Sequence, residues 1–117
     1  MKLEDIAGEL GLTDFTPDVT VDRDAEIDRG YASDLLSDVL AHAPEGGVLV
    51  TLQVHLNVIA VASHAELAAV IFAGDRKPDD EVIAKAAAEG LSLFGSASDT
   101  FDIVGRLSAL GIKGHHA

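Results

Sequence analysis

Residues 47–74 contain one charged side chain, that of Glu66, in a chain whose formal net charge is −12. Two short runs inside this stretch, 48–52 and 69–73, are almost wholly apolar and rich in Val, Leu and Ile. Short continuous runs of this kind are typical of strands that are buried on both faces of a sheet. The stretch therefore predicts the buried centre of a domain in which helices cover both faces of a sheet.

An alternation of strands and helices extends from this centre towards the C-terminal part of the chain. Helical segments are predicted at 55–65 and 78–89, and a third, shorter strand is predicted at 91–94. Residues 96–99 have the spacing of a capping box, which predicts Ser96 as the cap of a last helix. Three strand–helix units at this spacing indicate a parallel sheet with right-handed crossovers.

The N-terminal part of the chain has a less regular pattern. Residues 2–10 carry apolar side chains at helical spacing and are followed by a glycine, which predicts a first helix. We expect a short edge strand at 18–21 and a turn at 30–34. The turn leads into a second helix, predicted between residues 35 and 43, that Ser33 or a neighbouring residue caps.

These elements together predict an α/β fold with helices on both faces of the sheet. The sheet is expected to be mainly parallel, with about four strands and one antiparallel edge strand contributed by the N-terminal segments. A length of 117 residues suits one domain, which we place at residues 1–112. Residues 113–117 are expected to form a disordered tail.

Composition excludes several classes of protein. The chain has no cysteine, and therefore has no disulfide framework and no thiol nucleophile, so a cytoplasmic location is expected. We expect no membrane segment, because the apolar stretches are shorter than a span and the first five residues do not resemble a signal peptide. Residues 1–46 hold 12 acidic residues against three basic ones, a net charge of −9. This acidity disfavours nucleic acid as a partner, and the N-terminal third is predicted to be solvated or to face a positively charged partner.

Candidate binding residues lie in the loops that follow the predicted strands. Ligands of parallel sheets bind beyond the carboxyl ends of the strands, where loops and helix N-termini meet. Hydroxyls, backbone N–H groups and the cations Arg76 and Lys77 suit a small anionic or polar ligand. Structural alternatives remain open for each residue, namely a helix cap, a hydrogen-bonded polar cluster or a solvated loop. The candidate ligand-binding residues are Ser33, Asp34, Gln53, His55, Asn57, Gly74, Arg76, Ser96 and Ser98.

The sequence carries no recognisable catalytic motif. The Gly-x-x-x-x-Gly-Lys-Ser/Thr motif of nucleotide hydrolases and the Gly-x-Ser-x-Gly nucleophile elbow are both absent. The histidines lack the spacing of metal ligands, so neither a metal nor a cofactor is expected. We therefore predict that the chain is not an enzyme, with a His55-dependent phosphotransfer or hydrolysis as the remaining alternative.

Several segments together resemble stand-alone DRTGG-domain proteins over residues 1–112. The most specific are the Ser-Asp-Leu-Leu-Ser-Asp sequence at 33–38 and the Gln-x-His-x-Asn sequence at 53–57, and residues 44–46 and 74–79 add to them. Such domains are similar to the N-terminal domain of HPr kinase/phosphorylase. The resemblance implies a three-layer α/β/α sandwich and a regulatory or ligand-sensing role. It does not imply kinase activity, which belongs to a separate P-loop domain.

The chain departs from this family at the loop after the second buried strand. Gly74-Asp75-Arg76 stands where the family commonly has a Gly-Gly pair, and the Asp-Arg-Thr-Gly-Gly string itself does not occur. Asp75 in place of glycine changes the backbone angles that the loop can adopt, which puts a shared anion site at this loop in question.

The sequence thus favours a non-catalytic regulatory or ligand-sensing domain. Its predicted ligand is a small anionic or nucleotide-like metabolite, bound at the strand-end loops. The alternative is an accessory module that docks on a redox or metabolic enzyme through the acidic N-terminal face. The large apolar inventory of so small a chain also predicts a homodimer.

Overall fold

The computed structural model describes residues 1–115, and residues 116–117 lie outside the described part. The described residues form five helices and five strands, which alternate from β2 onwards. In chain order they are α1 (Leu3–Leu10), β1 (Thr13–Asp14), β2 (Gly30–Ala32), α2 (Leu36–His42), β3 (Val48–Thr51), α3 (Leu56–His64), β4 (Ala69–Phe72), α4 (Asp80–Ala88), β5 (Ser92–Gly95) and α5 (Thr100–Ala109).

Within residues 1–115 the strands form one mixed sheet in the order β1-β5-β4-β3-β2. Strands β2 to β5 are parallel, and Val50 in β3 lies beside Ile71 in β4, which lies beside Phe94 in β5. Strand β1 pairs antiparallel with β5, with Thr13 opposite Gly95. The predicted α/β class, the mainly parallel sheet and the antiparallel edge strand are therefore confirmed.

Helices cover both faces of the sheet and create two separate apolar cores. Alternate residues of the central strands point to opposite faces, as the pleat requires. Val50, Ile71 and Phe94 pack against α1 and α5, whereas Val70 and Phe72 pack against α2, α3 and α4. The three layers that the resemblance implied are present, and the fully buried centre matches the uncharged stretch of the sequence.

The two edge strands are where the sequence prediction was wrong. Residues 18–21 form no strand, and the antiparallel edge strand is instead Thr13–Asp14. Val19 is buried, but it lies in a turn, with its N–H donating to the Thr16 carbonyl oxygen at 3.0 Å. The predicted turn at 30–34 contains β2, so the sheet of the described residues has five strands rather than four.

Two helix caps also differ from the prediction. Helix α5 is capped by Asp99, whose Oδ1 accepts from the Asp102 N–H at 2.8 Å, and not by Ser96. Helix α2 begins after Leu35, and the Ser33 hydroxyl accepts from the Leu35 N–H at 3.2 Å in the turn before it. Aspartate is among the strongest N-cap residues and its charge suits the helix dipole, so it displaces the serine that the capping-box spacing favoured.

The segment after α5 returns to the outer edge of β2. The Lys113 N–H donates to the Asp28 carbonyl oxygen at 3.0 Å, and the Gly30 N–H donates to the Lys113 carbonyl oxygen at 2.8 Å. The first residue of the predicted disordered tail is thus hydrogen-bonded in the structure, whereas its last two residues lie outside the described part. None of the helices in residues 1–115 combines the length and the apolar character that a membrane crossing requires.

Candidate functional site

A crevice opens at the carboxyl ends of β4 and β5. Strand β4 continues into α4 on one face of the sheet, and β5 continues into α5 on the other face. Adjacent strands whose following loops leave in opposite directions create the type of crevice in which α/β proteins bind ligands. The antiparallel β1 closes one side of this crevice, because its first residue lies beside the end of β5.

The crevice contains a small groove that we call the basic groove. Its volume is about 220 Å³. Arg76 and Lys77, both exposed, supply a guanidinium and an ammonium group, and Thr13 and Ser96 add hydroxyls. The lining residues are Gly11, Thr13, Phe15, Asp75, Arg76, Lys77, Gly95, Ser96 and Ala97.

Backbone hydrogen bonds join the two loops that form the groove. The Gly74 N–H donates to the Ser98 carbonyl oxygen at 2.8 Å, and the Asp75 N–H donates to the Ser96 carbonyl oxygen at 2.9 Å. Gly74 and Asp75 both have positive φ values, 67° and 59°, which turn the chain sharply after β4. This turn carries Arg76 out of the sheet and towards the groove.

The groove can bind an anion through several donors. Guanidinium and ammonium groups form charge-assisted hydrogen bonds with phosphate or carboxylate oxygens. The Ser96 hydroxyl accepts from the Ser98 N–H at 3.1 Å, and a hydroxyl that accepts one bond can still donate its own proton. The Asp75 carboxylate offsets part of the positive charge, and it can accept a hydrogen bond from a ligand that carries a donor.

The amino ends of the strands have the opposite electrostatic character. An acidic cavity of about 610 Å³ lies there, with Asp22, Glu45, Glu66 and Glu89 in its lining. The hydrogen bond and the charge repulsion from Glu66 raise the pKa of the Glu45 carboxyl, in the direction expected for neighbouring acids. The two ends of the sheet thus differ in charge, and the basic groove is at the carboxyl end.

A second polar cluster forms at the carboxyl ends of β2 and β3. Asp34 Oδ1 accepts from the Thr51 hydroxyl at 3.0 Å and from the Leu52 N–H at 2.7 Å. The Gln53 side-chain amide donates to the Asp34 carbonyl oxygen at 3.0 Å. Asp34 Oδ1, the Asp34 carbonyl oxygen and the Gln53 side-chain amide therefore take part in fastening two loops together.

The nine predicted site residues separate into three groups. Arg76 and Ser96 line the basic groove, and Gly74 and Ser98 hold its loops together. Ser33, Asp34 and Gln53 lie in the turns after β2 and β3. His55 and Asn57 are exposed at the start of α3 and are not among the groove's lining residues, and within the described chain the His55 side chain makes no capping bond.

Sequence reasoning missed the part of the groove that the N-terminal segment supplies. Gly11, Thr13 and Phe15 enter the lining because β1 pairs with β5. Gly95 also lines the groove. The position suits glycine for a steric reason, since a β-carbon there would lie 2.6 Å from Phe15 Cε2. The glycine directly after the third apolar run was the available signal, because a glycine at a strand end often marks a close approach.

Comparisons with known proteins place the fold. No model of a known protein family matches the chain, and no curated protein matches it. The fold is similar to the crystal structure of the CBS and DRTGG domains of the regulatory region of Clostridium perfringens pyrophosphatase, complexed with its activator diadenosine tetraphosphate. The TM-score is 0.71 at 16% sequence identity. The similarity covers 95% of this chain and 47% of that one, so this chain shares its fold with about half of that regulatory region.

Proposed function

We propose that the chain is a regulatory, ligand-sensing domain of the DRTGG type. Its ligand is a small anionic, nucleotide-like metabolite, and the binding site is the basic groove. The observation that carries this proposal is the pair of adjacent exposed cations, Arg76 and Lys77, in the crevice of a chain whose net charge is −12. In such a chain two cations in a crevice provide a local positive potential that attracts an anion.

The structural neighbour supports the choice of ligand class. That protein is a regulatory region in complex with a nucleotide activator, and the activator contains a polyanionic tetraphosphate chain. A polyphosphate can engage Arg76 and Lys77 together, while hydroxyls such as that of Ser96 serve as further donors. The proposed role is binding without turnover, because the groove offers the hydrogen-bond donors and cations that hold an anion.

Isothermal titration calorimetry tests this proposal with diadenosine tetraphosphate, ATP and inorganic tripolyphosphate as probes. Replacement of both groove cations, Arg76→Ala with Lys77→Ala, is expected to weaken binding by about tenfold or more, because each charge-assisted hydrogen bond contributes about 1.5–3 kcal/mol. The control is Lys2→Ala with Lys85→Ala, which removes the same charge from exposed positions elsewhere. We expect this control to change affinity by about twofold or less.

Two results would contradict the proposal. One is the absence of binding of all three probes to the wild-type chain. The other is an equal loss of affinity in the groove variant and in the control variant, since this would show attraction to overall charge rather than a site. The first result would favour the alternative predicted from the sequence, in which the acidic N-terminal third docks on a partner enzyme.

A further inference from the structure

Helix α5 has an apolar outer face in addition to its buried face. Ile103 and Leu107 are buried against the sheet, as expected for an amphipathic helix. On the solvent side, however, 86% of Phe101 and 40% of Val104 are exposed. Gly105 follows Val104 in the helix. A β-carbon at Gly105 would have no packing neighbour within 4 Å, so this position faces open space. An exposed phenylalanine beside further apolar surface is a feature of interaction sites.

An apolar groove lies next to this face, between α5 and the β2–β3 edge of the sheet. We call it the α5 groove, and its volume is about 440 Å³. Its apolar walls include Val50, Val104, Leu107 and Ile112, and Ser108 and Lys113 lie at its polar rim. An exposed aromatic side chain and an apolar recess therefore lie on the same side of one helix.

We propose that a second copy of this chain covers this face. The two α5 helices pack antiparallel about a two-fold axis near Gly105, and Phe101 of each copy enters the α5 groove of the other. The spacing supports this arrangement, since an antiparallel pair centred between residues 104 and 105 sets position 101 opposite position 108, and Ser108 lines the groove. The absence of a side chain at Gly105 permits close approach of the helices where they cross.

The charges around the aromatic residue and the groove are complementary. Phe101 is flanked in the first turn of α5 by Asp99 and Asp102, both exposed, whereas the rim of the α5 groove carries exposed Lys113. Insertion of Phe101 brings Asp102 of one copy towards Lys113 of the other. Two-fold symmetry repeats this pairing, so each copy contributes both the acidic and the basic partner.

Sedimentation velocity over a range of concentrations tests the interface. The wild-type chain is expected to form a dimer whose dissociation constant rises at least about tenfold in Phe101→Ala, since a buried aromatic anchor often dominates an interface of this kind. Gly105→Lys should also abolish the dimer, because its side chain obstructs the crossing point without touching the monomer core. The matched control is Leu40→Ala, which removes an exposed apolar side chain from α2 on the opposite face of the sheet.

A charge exchange tests the pairing itself. Asp102→Lys and Lys113→Glu should each weaken the dimer, and the double variant should recover most of the lost affinity. Circular dichroism of every variant establishes that the monomer remains folded. A wild-type chain that stays monomeric at all concentrations would overturn the proposal, as would a dimer that tolerates Phe101→Ala and Gly105→Lys. Native mass spectrometry that finds a small apolar molecule retained by a monomer would also overturn it.

Discussion

Arg23 secures the segment between β1 and β2, in which the chain crosses from one edge of the sheet to the other. Its guanidinium donates to both carboxylate oxygens of Asp14, at 2.8 and 3.1 Å, and to the Thr16 carbonyl oxygen at 2.8 Å. Its Nε donates to the Ser92 hydroxyl at 2.8 Å, and its charge lies 5.0 Å from the centroid of Phe94. One planar side chain thus connects the loop, the short β1 and the neighbouring β5, a role that suits arginine better than lysine.

Gly95 provides a prediction at the same scale. In Gly95→Ala the new β-carbon would lie 2.6 Å from Phe15 Cε2, so the aromatic ring or the strand must move. We expect a loss of about 1–3 kcal/mol in the free energy of unfolding, typical of overpacking. Urea denaturation measures this change, and Gly8→Ala in α1 is the control because its β-carbon would meet nothing within 4 Å.

The control should be neutral or should stabilise the protein by up to about 1 kcal/mol, since alanine favours helix more than glycine does. Equal free energies of unfolding for wild type and Gly95→Ala would show that the Phe15 ring can move aside without a loss of stability. The close approach of Phe15 to Gly95 would then not constrain the wall of the basic groove.

The candidate site could be predicted only in part from individual residues. Arg76 and Ser96 were identified because carboxyl ends of parallel strands share one edge of a sheet, and strand ends can be read from apolar runs. His55 and Asn57 satisfy the same rule, but they lie at the start of α3 and outside the groove lining. Which loops meet in a groove depends on the faces to which their helices pack, and this is a tertiary property.

At the level of elements, Tyr31 joins strand β2 to helix α2. The Tyr31 hydroxyl donates to Asp38 Oδ2 at 2.7 Å, and His42 Nδ1 lies 3.0 Å from Asp38 Oδ1. The pKa of Asp38 lies below its ordinary value of 3.8, and the hydrogen bond from Tyr31 is the main cause. Interactions with Ser33 and His42 lower this pKa by smaller amounts. The same hydrogen bond raises the pKa of Tyr31.

This contact predicts a pH dependence of stability. A lowered pKa in the folded state stabilises the fold above the ordinary pKa, and the stabilisation is lost as the pH falls through the lowered value. In Tyr31→Phe the pKa of Asp38 should return towards its ordinary value, so the variant should lose less stability on acidification below about pH 4. Urea denaturation at a series of pH values measures this, and parallel curves for the two proteins would contradict it.

The elements also differ in how well they could be predicted. Strands β3, β4 and β5 have four residues each, all buried, and their apolar runs identify them. Strands β1 and β2 have two and three residues, none of them buried, so their sequences lack a pattern that separates strand from turn. Their pairing is decided by the neighbouring strand, which cannot be seen in a local window.

The arrangement of the whole molecule brings both proposed sites next to the loop between β5 and α5. Helices α2, α3 and α4 occupy one face, which leaves α5 on the other face beside α1. Ser96 and Ala97 line the basic groove, and Phe101 follows in the first turn of α5. The proposed ligand site and the proposed contact between copies are therefore separated by a few residues of the chain between β5 and α5.

The two ends of the described chain attach to one short segment of the molecule. At one end, the Ile27 N–H donates to the Met1 carbonyl oxygen at 2.9 Å, and the Met1 amino group donates to the Ile27 carbonyl oxygen at 3.3 Å. At the other end, Lys113 forms backbone hydrogen bonds with Asp28 and Gly30. Such proximity permits circular permutation, because the old ends can be joined without disturbing either core. We expect a permutant opened between residues 17 and 18, with a short flexible linker joining the old ends, to unfold cooperatively in a thermal melt.

A permutant opened inside β4 between Val70 and Ile71 is the matched control, because both residues are fully buried in the central strand. It should fail to give a cooperative melt, whereas equal behaviour of the two permutants would contradict the expectation. Two ends that are both bonded to residues 27–30 also suit a domain that is carried within a host chain. A host protein could therefore accommodate residues 1–115 as a cassette in a surface loop, with short linkers that lead to the segment at residues 27–30.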